Sequence, residues 1–224
     1  MNTQLLVNEI FVSIDGEGKT AGMLTTFIRL AGCNLRCKWC DTAYALLPSQ
    51  GTPMSVEDAA AAVTTRAVTL TGGEPLVQPA ALSLVALLME RGIDVNVETN
   101  GSCDIAPLFA LPHAEERLLV TLDWKLPASG MEGRMNPAAF RALRPGDVLK
   151  FVVSDPADLA RARAVLAEIR PASLIYLSPV FGSIEPETLV DTLKQWHADG
   201  MDVSRVRVQL QLHKIIWNPE QRGV

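Results

Sequence analysis

Short apolar runs rich in β-branched and aromatic residues alternate along this chain with longer stretches whose apolar positions recur at helical spacing. Thr25–Ala31 (TTFIRLA) predicts a strand. Ser55–Thr64 predicts a helix with Ser55 as N-cap and Asp58 in the capping-box position. Ala67–Thr71 reads as a strand that runs into Gly-Gly, and Val77–Arg91 as a helix that Gly92 terminates. Asp94–Glu98, Leu118–Asp123 and Asp147–Val153 read as strands. Pro156–Ile169 is helical, with Leu159, Ala162, Val165, Leu166 and Ile169 on one stripe. Leu174–Leu177 is a strand, Pro186–Ala198 a helix with Trp196 on its core side, and Val206–Leu212 a last strand. Strand–helix alternation of this kind predicts a parallel sheet flanked by helices. About six βα units fit, too few to close an eight-fold barrel. An open partial barrel and a doubly wound sheet both satisfy the pattern. No repeat or linker divides residues 1–224, so one domain is expected, and Pro127–Asn136 (PASGMEGRMN) is the loosest stretch, read as a mobile loop.

With 48% hydrophobic and 20% charged residues in 224, the chain has material for a sizeable core and too little charge for disorder. A net charge of -5 disfavours nucleic acid as a partner, because phosphate contacts need an excess of Lys and Arg. The start, MNTQLLVNEI, lacks the basic and apolar regions of a signal peptide, and the longest strongly apolar run, near Leu82–Met89, is too short to span a bilayer. A cytoplasmic protein without a membrane partner is expected. Three of the 4 cysteines crowd into Cys33–Cys40, which in a reducing compartment points to metal binding or catalysis rather than to disulfides.

Cys33, Cys37 and Cys40 have the spacing C-x3-C-x2-C. Three thiolates on one short loop suit three corners of a 4Fe–4S cluster whose fourth iron is left to another ligand, and Gly32 gives the backbone room to turn. A zinc knuckle would need a fourth ligand, which Cys103 could supply only through the fold, and three unrelated core cysteines are the remaining reading. The Cys segment, TGGEP (Thr71–Pro75), ETNG (Glu98–Gly101) and DWK (Asp123–Lys125) each follow a predicted strand, and ligands of parallel α/β folds collect at the carboxyl ends of strands.

The Cys spacing with Trp39 before the last Cys, followed about thirty residues later by the glycine-rich TGGEP, resembles the radical S-adenosylmethionine (SAM) superfamily. The resemblance implies that the open iron binds the amino and carboxylate groups of SAM. One electron would then cleave SAM to a 5′-deoxyadenosyl radical that takes hydrogen from a substrate. Ser13–Gly18 (SIDGEG), Phe27–Arg29, AGCNLRCKWCDT and the late QLHKIIWNP resemble, from Glu9 to Pro219, the 7-carboxy-7-deazaguanine synthase family in its short-Cys-loop form. That family contracts 6-carboxy-5,6,7,8-tetrahydropterin to 7-carboxy-7-deazaguanine with loss of ammonia, for queuosine and related deazapurines. The resemblance implies a partial barrel, Mg2+ beside the cluster, a homodimer, and an electron donor such as flavodoxin or ferredoxin.

Carried onto this sequence, the resemblance implies roles for particular residues. Ile14, Asp15, Gly16 and Glu17 would line the pterin, with Asp15 a departure from the Gln of many members. Arg29 would grip the substrate carboxylate and Thr71 would touch the substrate, while His213 and Pro219 would close the pocket from the C-terminal side. Thr42 would offer a hydroxyl to Mg2+. Trp39, Asp41, Gly73, Glu74, Glu98, Lys125 and Ser178–Val180 (Ser178, Pro179, Val180) would hold SAM, with Glu74 organising its amino group. Two rival readings share part of this pattern. A glycyl-radical activase would use the same Cys motif and TGGEP but has no need of SIDGEG, Arg29 or the LHK segment, and a zinc-binding interaction module would be colourless.

Overall fold

Side chains on the central strands alternate between two unlike faces, as a pleated backbone requires. The structure, a computed structural model, describes residues 4–224. Strands β1 (Gln4–Ile14), β2 (Leu24–Leu30), β3 (Thr52–Ser55), β4 (Ala67–Gly72), β5 (Asp94–Thr99), β6 (Leu118–Trp124), β7 (Val148–Val153), β8 (Leu174–Pro179) and β9 (Val206–Val208) form one sheet, ordered β3-β1-β2-β4-β5-β6-β7-β8-β9. From β2 to β9 the pairings are parallel, whereas β1 runs antiparallel to β2 and β3. Strand order never reverses among the parallel strands, so the sheet is singly wound and lacks the switch point of a doubly wound fold. It does not close into a barrel.

Helices α1 (Val56–Ala61), α2 (Ala80–Glu90), α3 (Ala106–Phe109), α4 (Ala114–Arg117), α5 (Pro137–Arg141), α6 (Pro156–Ile169), α7 (Pro186–Ala198) and α8 (Leu212–Ile216) follow or join the strands. Right-handed crossovers in one winding direction place the connecting helices on a single face. That face is apolar: Ile28 and Leu30 of β2, Leu70 of β4, Val97 of β5, Leu122 of β6, Phe151 of β7 and Leu177 of β8 are buried with Leu84 and Leu88 of α2, Val165 of α6, and Leu189 and Trp196 of α7. The intervening positions carry Arg29, Thr71, Glu98, Asp123 and Lys150, which open onto a cavity on the other face.

Three expectations change, and two strands appear that the pattern did not predict. The antiparallel β1 and β3 were not legible as strands, because QLLVNEIFVSI and TPMS carry polar residues or proline where a clean alternation would be needed. The helix expected from Val77 begins as α2 at Ala80, because Gln78, the residue before Pro79, is extended (ψ 109), and its side chain accepts from the Leu6 amide at 2.8 Å and donates to the Leu6 and Ala31 carbonyls at 3.1 and 2.8 Å. The last strand stops at Val208. There the chain turns across the segment after β1, with Gln209 exchanging two hydrogen bonds with the Gly18 backbone (2.6 and 2.8 Å), and Leu212 starts α8. Pro127–Asn136 is anchored rather than loose. Ser129 accepts at its carbonyl from the Lys38 amide at 3.2 Å, and Glu132 pairs with Arg161 at 2.6 Å while accepting from the Trp124 indole at 3.3 Å. Among the described residues, no helix is long and apolar enough to cross a membrane.

One buried carboxylate ties three elements beneath the sheet. Asp147 accepts from the Val120 amide of β6 at 3.1 Å, the Arg144 amide at 2.8 Å and the Arg144 Nε at 3.0 Å. Arg144 in turn donates to the carbonyls of Ala114 and Leu118. Asp147→Ala is expected to lower the unfolding free energy by about 3 kcal/mol, since it strands the Arg144 charge and two amides. Urea unfolding of the metal-free protein measures it, and a loss under about 0.5 kcal/mol would show that the strut is dispensable.

Candidate active site

The site is built where three strand-end loops meet. After β2, Gly32 and Cys33 donate to the carbonyls of Ala45 and Leu46 at 2.8 and 2.9 Å, which folds the Cys loop back on itself. The turn after β4 docks against it: Gly73 donates to the Leu30 carbonyl and Glu74 to the Gly32 carbonyl, both at 2.9 Å. Gly72 sits at φ 140, where a side chain would collide with the Leu30 backbone, and a Cβ on Gly73 would meet the Gly32 carbonyl. Both glycines are therefore demanded by the protein's own packing, whatever ligand also approaches them. The third loop is fastened by Glu74, which accepts from the Leu76 amide (3.0 Å), the Thr99 hydroxyl (2.7 Å) and the Asn100 amide (2.7 Å). Asn100 completes the circuit by donating to Asn34 in the Cys loop at 3.0 Å.

Beneath these loops lies a cavity of about 700 Å3 at the carboxyl ends of the parallel strands. Cys33, Cys37 and Cys40 all line it, and Cys103 does not. The thiols are free, and burial pushes those of Cys33 and Cys37 up. Among the described residues, no three His, Cys, Asp or Glu side chains are gathered at metal-binding spacing, so the sulfurs share the space without yet forming a closed set. Three thiols facing one cavity, with no fourth thiol beside them, fit a cluster with an open iron and fit a four-ligand zinc site poorly. Trp39, Asp41 and Thr42 stand on the same wall, with the Thr42 hydroxyl 3.6 Å from the Cys40 sulfur. Gly73, Glu98, Lys125 and Val180 also reach the cavity.

Three expected cofactor contacts do not reach the cavity. Glu74 is fully buried and its carboxylate is turned into the loop bonds just described, so it holds the ETNG segment rather than facing a ligand. Ser178 and Pro179 lie within β8; the Ser178 side chain is fully buried, and only Val180, beyond the strand end, lines the cavity.

Elsewhere on the cavity wall, the segment after β1 and the segment around α8 close on each other. Leu212 donates to the Gly16 carbonyl at 3.0 Å, and a Cβ on Gly16 would collide with the His213 imidazole, so only glycine permits that approach. Burial pushes the His213 imidazole below its ordinary value. Ile14, Gly16, Glu17, Thr71, His213 and Pro219 all line the cavity, as expected. Asp15 borders it too, but its carboxylate is turned away. It accepts from the Thr20 hydroxyl at 2.6 Å and the Thr69 hydroxyl at 3.0 Å, and burial raises its pKa. Arg29 is held by its Nε alone, 2.7 Å from Glu9, its cross-strand neighbour in β1, and Tyr44 donates to the same Glu9 oxygen at 3.0 Å. Among the described residues the terminal guanidinium nitrogens have no protein acceptor.

The floor is an alternating set of charges, of which the sequence named Glu17 and Lys125 and missed Lys150. Lys150 of β7 lies 2.7 Å from Glu17 Oε2 and 3.2 Å from Asp123 Oδ1, and Asp123 Oδ2 accepts from Lys125 at 2.8 Å. Asp123 and Lys150 are register partners in adjacent strands. Burial alone would raise the Glu17 and Asp123 carboxyls, but their lysines outweigh it and both titrate below the ordinary range. Burial would lower Lys150, but its acidic neighbours hold it well above the usual lysine value. Lys150 was hidden in the apolar run VLKFVV, and a lone lysine in an otherwise buried strand was the available signal.

Glu98 is the exception: burial, with Asp15, Glu17 and Asp123 nearby, raises its carboxyl to about 7 against the pull of Lys150. Above pH about 4.5 the unfolded chain has released this proton and the folded protein has not. Glu98 therefore contributes stability that is full below that pH and is lost as pH rises through about 7. Glu98→Gln removes this dependence. Relative to wild type, the metal-free variant should gain on the order of 2 kcal/mol between pH 5 and pH 8, and parallel stability curves over that range would contradict the assignment.

Comparison with known proteins agrees with this geometry. Residues 27–123, from β2 to β6, match the Radical SAM superfamily model. A 7-carboxy-7-deazaguanine synthase of Clostridium acetobutylicum is 42% identical, over 97% of this chain and 98% of its own length. One from Leptospira interrogans is 35% identical, over 100% and 99%. In structure the chain resembles QueE from Escherichia coli (TM-score 0.68, 24% identity, 94% of this chain and 95% of that one). It also resembles, in fold, Streptococcus suis SuiB bound to S-adenosylmethionine (TM-score 0.53, 12% identity, 80% and 47%). Full-length identity at this level, with three thiols, the glycine turn and the Glu17–Arg29 end opening onto one cavity, shows that the chain belongs to the 7-carboxy-7-deazaguanine synthase family of radical SAM enzymes.

Proposed function

We propose that this protein converts 6-carboxy-5,6,7,8-tetrahydropterin to 7-carboxy-7-deazaguanine. The carrying observation is a pairing of unused polar groups on the cavity wall. Glu17 Oε1 is buried and lacks a protein partner while Oε2 is held by Lys150, so it is free to accept from the amino-pyrimidine edge of a pterin. The Arg29 guanidinium, braced at Nε, keeps its terminal nitrogens for a carboxylate, which a planar fork matches. Thr71, the cross-strand neighbour of Arg29, offers a hydroxyl beside it. A pocket of about 700 Å3 suits a bicyclic substrate together with a nucleoside cofactor.

Cys33, Cys37 and Cys40 would hold the 4Fe–4S cluster, and the Gly73 turn with Trp39, Asp41, Glu98, Lys125 and Val180 would border SAM. When bound, the two together supply one-electron chemistry that removes a hydrogen atom from the substrate. The chain's part is orientation and exclusion of water. Arg29 and Glu17 fix the two ends of the pterin so that its carbon six faces the thiol end. His213, pressed onto Gly16 and kept largely neutral by burial, walls the substrate end. Mg2+ would be held by the Thr42 hydroxyl together with substrate oxygens, since one hydroxyl is too weak a site alone. The electron would come from a flavodoxin or ferredoxin, and the enzyme would act in the cytoplasm as a homodimer of single-domain chains. A protein-activating role is less consistent with a substrate end walled by α8 and the segment around Pro219.

Substrate carrying deuterium at carbon six tests the reading. The 5′-deoxyadenosine formed should gain one mass unit, and deoxyadenosine without deuterium would place the abstracted hydrogen elsewhere. Arg29→Ala should raise the KM for the pterin by about 10- to 100-fold, in keeping with loss of a charge-assisted bidentate contact. Steady-state kinetics measures it, and an unchanged KM would remove Arg29 from the substrate contacts.

A further inference from the structure

The thiol end and the pterin end of the cavity are joined by one run of buried charges: Glu17, Lys150, Asp123 and Lys125. Lys150 lies between two acids, 2.7 Å from Glu17 and 3.2 Å from Asp123, and is the link that joins Glu17 to the rest of the run. Its approach to Asp123 Oδ1 is an ion-pair contact rather than an aligned hydrogen bond, since that oxygen otherwise lacks a partner, as does Glu17 Oε1. We propose that Lys150 is a positioning residue of the reaction: it fixes Glu17 with one oxygen turned to the substrate and, through Asp123, holds Lys125 at the cofactor end, so that one buried cation keeps the two halves of the site in register.

The physical argument is one of rotamers. A glutamate gripped at one oxygen by a buried ammonium has a single orientation for the other, whereas an ungripped one spreads its rotamers or takes up a proton. Asp123 likewise sits between two ammonium groups, and removing Lys150 leaves it, among the described residues, with Lys125 alone as an ionic partner. The backbone of β7 cannot shift to compensate, because its next residues Leu149 and Phe151 are fully buried on the apolar face. Loss of Lys150 should therefore do more than weaken substrate binding. It should leave the substrate hydrogen misplaced relative to the cofactor end, so that SAM is consumed without product.

This inference rests on the pterin reading, and the experiment separates the two. Cluster-loaded wild type, Lys150→Met, Lys150→Arg and Glu17→Gln are compared anaerobically for pterin turnover, for the ratio of 5′-deoxyadenosine to 7-carboxy-7-deazaguanine, and by calorimetry for affinity toward the stable product. Wild type without product would end the pterin reading itself. Given wild-type turnover, Lys150→Met should raise the deoxyadenosine-to-product ratio at least fivefold and weaken product affinity at least tenfold. Lys150→Arg, which keeps the charge, should recover part of both, and Glu17→Gln should weaken affinity while changing the ratio less. If Lys150→Met proves too unstable to load, Lys150→Arg and Glu17→Gln decide, because Lys150→Arg keeps every buried charge and Glu17→Gln replaces the acid with an amide of the same shape. A wild-type ratio and affinity in Lys150→Met, or in Lys150→Arg and Glu17→Gln together, overturns the proposal.

Discussion

The contact on which this molecule depends is the backbone seam between the glycine turn after β4 and the end of β2. Gly72 and Gly73 lie against Leu30 and Gly32 with no space for a side chain, and two amide-to-carbonyl hydrogen bonds close the gap. Everything at the cofactor end follows from that closeness. It sets the Cys loop beside the turn, brings Glu74 under the Thr99–Asn100 loop, and allows Asn100 to reach back to Asn34. Parallel strands supply the frame, since their carboxyl ends lie along one edge, but the seam turns three neighbouring ends into one wall.

The inner face of the sheet solves a second problem. An open sheet with helices on one side leaves the other side without an apolar partner, and this chain fills it with polar and charged side chains. Isolated, such charges would be costly to bury. They persist because they alternate in sign and sit in neighbouring strands, so Asp123 meets Lys150 across the register and Glu9 meets Arg29 likewise. The neighbouring lysines hold Glu17 and Asp123 ionised against burial, whereas at Glu98 burial outweighs the pull of Lys150 and raises the carboxyl to about 7.

Much of this was legible in the sequence, for reasons that also mark the limits. The α6 and α7 boundaries were read correctly because proline starts and apolar stripes are local signals. The Cys spacing, TGGEP, SIDGEG and the LHK segment are also local, and the structure brings all four to one cavity. What escaped was non-local. The antiparallel β1 and β3 are strands because of the partners they find, and Lys150 matters because of acids that lie on other strands. Glu74 was assigned to the ligand from its place in a motif, whereas the donors that claim its carboxylate come from a loop about 25 residues further on. Ser178 is register partner of the cavity-lining Val152, and its buried hydroxyl lacks a protein partner, which the sequence alone could not show.

The central claim is that the two ends of one cavity hold a reducible SAM site and a pterin site together. The most direct measurement is anaerobic turnover of the reconstituted protein with SAM, a strong reductant and 6-carboxy-5,6,7,8-tetrahydropterin, followed by mass spectrometry. The account predicts 7-carboxy-7-deazaguanine, formed with release of ammonia. Cleavage of SAM by an iron-loaded sample that leaves the pterin intact would contradict it, because the groups at Glu17 and Arg29 would then be arranged for some other molecule.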